Sequence, residues 1–417
     1  MTLRARETDV AVIGGGPAGL AAAAAAADAG ARVVLIDRNP HLGGILNQCI
    51  HDGFGLHAFG EVLTGPEFAA RYVDRAREAG VEVHSDTLVA ELTPERELVC
   101  TSPGSRSRLR ASSVVLAMGC RERTRGMLRI PGPRPAGVYT AGTAQWLTNM
   151  ENIRVGRRVV ILGSGDIGLI MARRLTWEGA EVAAVVELLP YPSGLPRNIT
   201  QCLEDYGIPL HLGHSVTCIR GRDRLDGVTV SRFGEDRRPI PGTAFDIPCD
   251  TLLLSVGLIP ENELSRRAGV QLDTSTSGAF VDDRYMTNVP GVFSCGNVLH
   301  IHDLADWAAE EGERAGRAAA SHALEGLATG GRSTLATITA GEGIRYVVPQ
   351  TASKGAKEVL ISFRVGAPDQ DRTAEVLADG RALASETLRR AHPAEMVQMT
   401  VRCADGLNVD RLEVRLQ

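Results

Sequence analysis

DVAVIGGGPAGLAAAAAAADAGARVVLID, residues 9–37, decides the fold. Asp9 to Ile13 is a short β-branched run of the kind buried in a parallel sheet. It enters Gly14-x-Gly16-x-x-Gly19, with Pro17 and Ala18 inside the turn. A helical stretch to Ala29 follows and includes seven consecutive alanines; a second apolar run, Arg32 to Ile36, then ends at Asp37, 23 residues after Gly14. Strand, glycine turn, helix, strand and acid, with the acid about 20 residues on, is the order of a dinucleotide site. The glycines allow a tight turn and close approach of a pyrophosphate to the helix N-terminus, where free N–H groups and the helix dipole favour negative charge. Asp37 is expected to accept from a ribose. Arg4 and Arg6 ahead of the apolar stretch imitate a secretory leader, but Gly14-Gly15-Gly16-Pro17 would break its helix, and no leader is expected.

The device recurs. Arg158 to Leu162 (RVVIL) leads into Gly163-Ser164-Gly165-Asp166-Ile167-Gly168, a helical stretch runs from Leu169 to Glu178, and a second apolar run from Ala180 ends at Glu187, 24 residues after Gly163. Two such folds in one chain imply two nucleotides held face to face, and electron transfer between them.

Composition sets the outer limits. A chain of 417 residues suggests about three domains, and 44% hydrophobic with 23% charged residues is an ordinary globular balance. The net charge of −5 and the scarcity of aromatics, 4%, do not describe a nucleic-acid reader. Only Lys354 and Lys357 are lysines, so no chemistry before residue 354 can use one. The eight cysteines form no CxxC or CxxxxC pair. A zinc ribbon, a cysteine-ligated cluster motif and a two-cysteine redox loop therefore lack their signatures, and the scattered thiols suit a reducing, cytoplasmic setting.

On these motifs the chain resembles the pyridine nucleotide–disulfide oxidoreductase superfamily, flavoproteins with two dinucleotide-binding domains. VVLAMGC (Val114 to Cys120), LLLSVGLIPENEL (Leu252 to Leu264) and GVFSCGN (Gly291 to Asn297) fall where that family has its domain-closing strands. GGILNQCIHDGFGLH (Gly43 to His57), GVYTAGTAQWL (Gly137 to Leu147) and GNVLHIHD (Gly296 to Asp303) resemble one branch of it, the FAD/NAD flavoprotein subunits associated with anaerobic glycerol-3-phosphate dehydrogenases. That branch is related to subunits of hydrogen cyanide synthase, opine oxidase and dye-linked proline dehydrogenase. The resemblance implies FAD and NAD as cofactors. It also implies partners: a second flavoprotein dehydrogenase subunit and a small cysteine-bearing or iron–sulfur protein.

The expected fold class is α/β, with two Rossmann-like domains. The FAD domain, residues 1–117 and 261–328, is split by an NAD domain, 118–260. A Gly/Ser/Thr-rich linker, Gly330 to Ala340, precedes a small all-β domain, 341–417, whose alternating strings IRYVVPQ, EVLISFRV, TAEVLAD, MVQMTVRC and RLEVRLQ read as strands of a sandwich. This sandwich reads as a docking module, and its removal is expected to leave FAD bound. FAD contacts implied by the resemblance are Gly14, Gly16, Pro17, Ala18, Gly19, Asp37, Arg38, Gly44, Val89, Gly119, Gly296, Asn297 and Leu304. Those for NAD are Gly163, Gly165, Asp166, Ile167, Gly168, Glu187 and Gly257. Asn297 stands where the family has an acid for the flavin ribityl chain.

Disulfide reductases carry two redox cysteines and a lysine after the Gly-Gly pair. Here Gly43-Gly44 is followed by Cys49 alone, and Gly53 stands where the lysine would be. A dithiol mechanism is not expected. Three roles stay open for Cys49: a small packed side chain, a flavin-proximal thiolate relaying electrons, or a sulfenic acid former. His51 beside it is the candidate for proton transfer. His51, His57, His300 and His302 are expected in loops, mainly as surface or partner contacts. No Cys or acidic cluster completes a metal site, and no metal is expected. Cys120, Cys295 and Trp307 read as core. The leading expectation is the electron-transferring subunit of a glycerol-3-phosphate, opine or amino-acid dehydrogenase. A stand-alone single-cysteine NADH oxidase or peroxidase and a non-catalytic assembly subunit with structural FAD are the alternatives.

Overall fold

A computed structural model describes residues 6–325 and 335–417. The chain divides into two units, 1–120 with 260–417, and 121–259.

In the first unit, strand Arg6–Ile13 lies between Val33–Ile36 and Ser105–Leu116, all parallel, with Glu82–His84 outside Val33–Ile36. Val292–Ser294 joins the far end of Ser105–Leu116 in parallel, and an antiparallel meander of Leu88–Leu92 and Glu97–Ser102 joins its near end. Val10, Ala11, Val12 and Ile13 of the first strand are fully buried or nearly so, because helices cover the parallel sheet. Helix Pro17–Asp28 buries Ala18 to Ala26 against helix Ala305–Glu325. The alanines leave no side-chain bulk between the two backbones. A Cβ added at Gly312 or Gly316 would lie 2.1 Å from the carbonyl oxygen of Ala18 or Ala22. The run that imitates a leader peptide is therefore a close-packing seam.

The second unit has an all-parallel sheet in the order Leu210–Leu212, Glu181–Glu187, Arg158–Leu162, Thr251–Leu254, Val138–Thr140. A three-stranded antiparallel sheet, His214–Gly221, Leu225–Arg232 and Phe245–Pro248, completes it.

The C-terminal strands form two sheets. One runs Thr351–Ser353, Leu335–Ala340, Arg411–Leu416, Asp369–Ala378, Arg381–Ala391; the other runs Ile344–Val348, Glu358–Val365, Val397–Arg402. Their inward faces share a core of Ile338, Ile361, Phe363, Val376, Val401 and Val414, among others. One expectation needs correction. Residues 335–340, read as linker, form a strand of this sheet paired with Arg411–Leu416, because their alternate residues Ala336 and Ile338 are buried in its core. The remaining linker residues, 330–334, lie outside the described segments. The sandwich, read as a docking module, shares a core with the rest of its unit: Tyr346 and Val348 are buried in the hydrophobic core of the first unit. Gln350 also exchanges hydrogen bonds with the backbone of Val281, its side-chain oxygen accepting at 3.0 Å and its own N–H donating at 3.2 Å. No described helix is long and apolar enough to cross a membrane.

Candidate functional site

Both glycine turns are built by one local device. Gly14 N–H donates to Ile36 O at 2.8 Å, and Gly15 N–H donates to the Asp37 carboxylate at 2.6 Å. In the second unit, Gly163 N–H donates to Val186 O at 2.7 Å, and Ser164 N–H donates to the Glu187 carboxylate at 2.9 Å. In each case the acid at the end of the second strand fixes the turn after the first. Asp37 also accepts from Asn39 N–H, and Glu187 from Leu189 N–H and the Ser164 and Ser193 hydroxyls. Both acids are buried.

The first of these turns fits a dinucleotide. Helix Pro17–Asp28 starts at Gly16 with no side-chain cap and no acid in its first turn, so its N-terminal dipole faces outward uncompensated. A Cβ added at Gly16 would meet nothing within 4 Å, which leaves an open cradle in front of the helix. The second helix begins with an acid, Asp166, that would repel a phosphate. Its Oδ1 instead accepts from Leu195 N–H at 2.8 Å and from Asn198 Nδ2 at 2.6 Å.

Around the first turn the fold gathers other expected contacts. A Cβ at Gly44 would lie 3.0 Å from Gly16 Cα, and one at Gly296 would lie 2.6 Å from Ala18 Cβ. Val89 follows Thr87, whose N–H donates to Asp37 O. Leu304 immediately precedes helix Ala305–Glu325, whereas Arg38 is exposed. Asn297 is committed within the chain. Its Oδ1 accepts from His302 N–H at 2.9 Å, and its Nδ2 approaches Cys120 Sγ at 3.7 Å. Gly257, in the second unit, accepts from Arg123 N–H.

Cys49 closes the C-terminal end of the short 3₁₀ helix Gly44–Gln48, where a helix dipole does not favour a thiolate. Its Sγ lies 3.3 Å from Ile45 O, and burial pushes the thiol up to about 12. Of the three roles left open, the packed side chain fits this environment; a thiolate needs an electropositive, accessible one. His51 is partly exposed, its ring 5.1 Å from that of Phe54 and its Nδ1 2.9 Å from Asp52 O.

Among the remaining histidines and expected core residues, His57 and Cys295 lie as expected, whereas His300, His302, Cys120 and Trp307 do not. His57 is exposed and stacks on Trp307 at 4.7 Å; Trp307 is half-buried rather than core, because it forms one side of that stack. Cys120 is also only partly buried, while Cys295 is fully so. His300 and His302 are not surface residues: their side chains are 1% and 2% exposed. Glu311, on the closing helix, meets both, with its Oε2 2.8 Å from His300 Nε2 and 3.6 Å from His302 Nε2. Burial works against its ionisation, yet the two imidazoles hold it well below the usual carboxylate range; burial pushes His300 down.

Sequence reasoning missed three more positions. Asp306 accepts from the N–H groups of Gly55, His57 and Ala58 and so ties the segment after Cys49 to the closing helix. Glu311 Oε1 accepts from Gly296 N–H at 2.7 Å. Arg364, from the C-terminal sandwich, donates to Ile301 O at 3.0 Å and to the Asp303 carboxylate at 3.1 Å. The two helix acids carried a weak signal, since an acid buried by a glycine- and alanine-rich face needs a partner. Arg364 carried none, because its partners Ile301 and Asp303 lie 63 and 61 residues away.

A sequence profile described as pyridine nucleotide-disulphide oxidoreductase matches residues 8–312. Hydrogen cyanide synthase subunit HcnB of Pseudomonas protegens is 28% identical over 74% of this chain and 67% of its own. The ferredoxin reductase component of a Cupriavidus chlorobenzene dioxygenase is 30% identical over 74% of this chain and 69% of its own. Among solved structures, thioredoxin reductase of T. acidophilum aligns with a TM-score of 0.63 at 24% identity. It covers 76% of this chain and 99% of that one, a likeness of fold.

Proposed function

The chain belongs to the pyridine nucleotide-disulphide oxidoreductase family, flavin-dependent oxidoreductases that work with FAD and NAD(P)H, and we propose that it is the electron-transferring flavoprotein subunit of a multi-component dehydrogenase of the glycerol-3-phosphate, opine or amino-acid type. The observation that carries this reading is the environment of Cys49. A single thiol, buried and pushed up to about 12, stands where disulfide reductases act on their own substrate, so the chain has no thiol machinery of its own. The same observation weighs against the peroxidase alternative. The reading is supported by two relatives whose names make them components of larger systems.

When bound, FAD and the nicotinamide supply two-electron hydride chemistry. The chain's own part is placement. The turn at Gly14–Gly19 and the uncapped helix behind it would hold the FAD pyrophosphate, and Asp37 stiffens that turn through Gly15. Gly163–Gly168 and Glu187 would do the same for the nicotinamide nucleotide. Asp306 fastens the backbone of Gly55, His57 and Ala58, shortly after Cys49 and His51, to the closing helix.

The test is the isolated chain under anaerobic conditions. It will be yellow and will reduce artificial dyes with NADH, but will oxidise no glycerol phosphate, opine or amino acid alone. Turnover of such a substrate near ~10 s⁻¹, a typical enzyme value, overturns the subunit reading. Peroxide consumption abolished by Cys49→Ser would favour the peroxidase instead.

A second expectation concerns the nucleotide. A buried carboxylate at Glu187, followed by Leu188, Leu189 and Pro190 with no Arg, repels a ribose 2′-phosphate. NADH will be preferred to NADPH by at least about tenfold, roughly 1.4 kcal/mol. Flavin-reduction kinetics with both nucleotides check this, and equal affinities contradict it.

A further inference from the structure

We propose that His300, His302 and Glu311 form a binding site for a divalent transition-metal ion, with two imidazole nitrogens and one carboxylate oxygen as its ligands.

The donor atoms of the three side chains lie within 4.8 Å of one another. They are brought together by tertiary structure, since the histidines sit in the loop after Gly296–Val298 and Glu311 lies on the facing turn of helix Ala305–Glu325. Bonds of about 2.0–2.2 Å to zinc put neighbouring tetrahedral donors roughly 3.3–3.5 Å apart. The present spacings of 2.8 and 3.6 Å from Glu311 to His300 and His302 lie on either side of that value. These two contacts need adjustments of about half an ångström or less.

The tautomer of His302 supplies the second observation. His302 N–H donates to Asn297 Oδ1, which identifies that amide atom as an acceptor. His302 Nδ1 lies 3.2 Å from the same oxygen and so carries the hydrogen. Its Nε2 faces the Glu311 carboxylate at 3.6 Å, buried and with no hydrogen-bond partner among the described residues. A buried imidazole nitrogen and a carboxylate oxygen at this distance are satisfied only by a proton or a metal cation between them. Metal-bound histidines hold their other ring N–H on a carbonyl or carboxylate in this way, and ligating carboxylates are themselves hydrogen-bonded. Asn297 does the first for His302, and Gly296 N–H does the second for Glu311.

The surroundings hold the loop still. Arg364 fastens Ile301 O and Asp303, and the Tyr346 ring meets the His300 ring edge-on at 6.0 Å. Two imidazoles and one carboxylate select a zinc- or iron(II)-like ion over calcium or magnesium. Three protein donors leave one coordination position open.

The test uses the full-length holoprotein, stripped with chelator, reconstituted with zinc and desalted, then measured by elemental analysis and zinc X-ray absorption. Expected are one zinc per chain, a first shell of nitrogen and oxygen only, and loss of about nine-tenths or more of the metal in His302→Asn, in line with the tight, ligand-dependent binding of protein zinc sites. Absence of zinc from the reconstituted wild type would mean that the cluster holds only a proton, and would overturn the proposal. Sulfur in the first shell would place the ion on cysteines and do the same, as would equal zinc in a folded His302→Asn protein. If His302→Asn does not fold, the absorption spectrum of the wild type decides alone.

Discussion

A chain ending at residue 334 will be recovered without flavin, if it is recovered folded. Both halves of the FAD-type fold lie upstream of that point, and the sequence makes the sandwich look dispensable. The structure reverses this. Tyr346 and Val348 would leave the core that they share with the first strand and the closing helix. Gln350, buried, would leave Val281, and Ser353 would leave Asp283, whose Oδ1 accepts from its N–H and hydroxyl at 2.8 and 2.9 Å. Most costly is the loss of Arg364. Its guanidinium and the Asp303 carboxylate are each 9% exposed, and it donates to the backbone oxygens of Ile301, Pro393 and Ala394 and contacts the Tyr346 hydroxyl. Removing one member of a buried pair leaves the other charge uncompensated, at about 3–5 kcal/mol. Arg364→Met alone should therefore lower stability by that amount in denaturant titrations and weaken flavin retention, because Asp303 precedes the helix facing the glycine turn. Adding Asp303→Asn should recover part of the loss. A truncated chain that stays yellow and folded would show the sandwich to be separable after all.

Gly19→Ala will abolish flavin binding, whereas Gly163→Ala will leave the protein yellow but unreactive toward NADH. A Cβ at position 19 would sit 1.8 Å from Gly14 O, so either the turn or the helix must move out of the pyrophosphate cradle. At position 163 the backbone has φ near +93°, and a Cβ would lie 2.1 Å from Ser255 O. Overpacking of this kind costs about 3 kcal/mol, which is roughly a hundredfold in a rate or binding constant. The two effects separate because the turns belong to different units of the chain. Flavin content by absorbance, and anaerobic stopped-flow reduction by NADH, distinguish them. Loss of flavin in Gly163→Ala would mean that the units do not fold independently.

The sequence by itself determined the two glycine turns, their strands and helices, and the acids that end the second strands. These are local: a β-branched run, a glycine turn, a helix N-terminus and the closing acid are written within about 30 consecutive residues. It also yielded five of the C-terminal strands through their alternation. Strand Arg381–Ala391 escaped because most of its residues are exposed or only partly buried, which leaves no alternation to read. The environment of each candidate residue was decided only by tertiary structure. Cys49 reads from the sequence as a candidate thiolate, and only the fold buries it at the C-terminal end of a short helix. His300 and His302 read as loop histidines until helix Ala305–Glu325 brought Glu311 to them. Arg364, in a strand of ordinary alternation, gained its importance from a loop 61 residues upstream. Alternation and turn chemistry specify elements one at a time, whereas the charge state and partners of a buried side chain depend on which other elements pack against it.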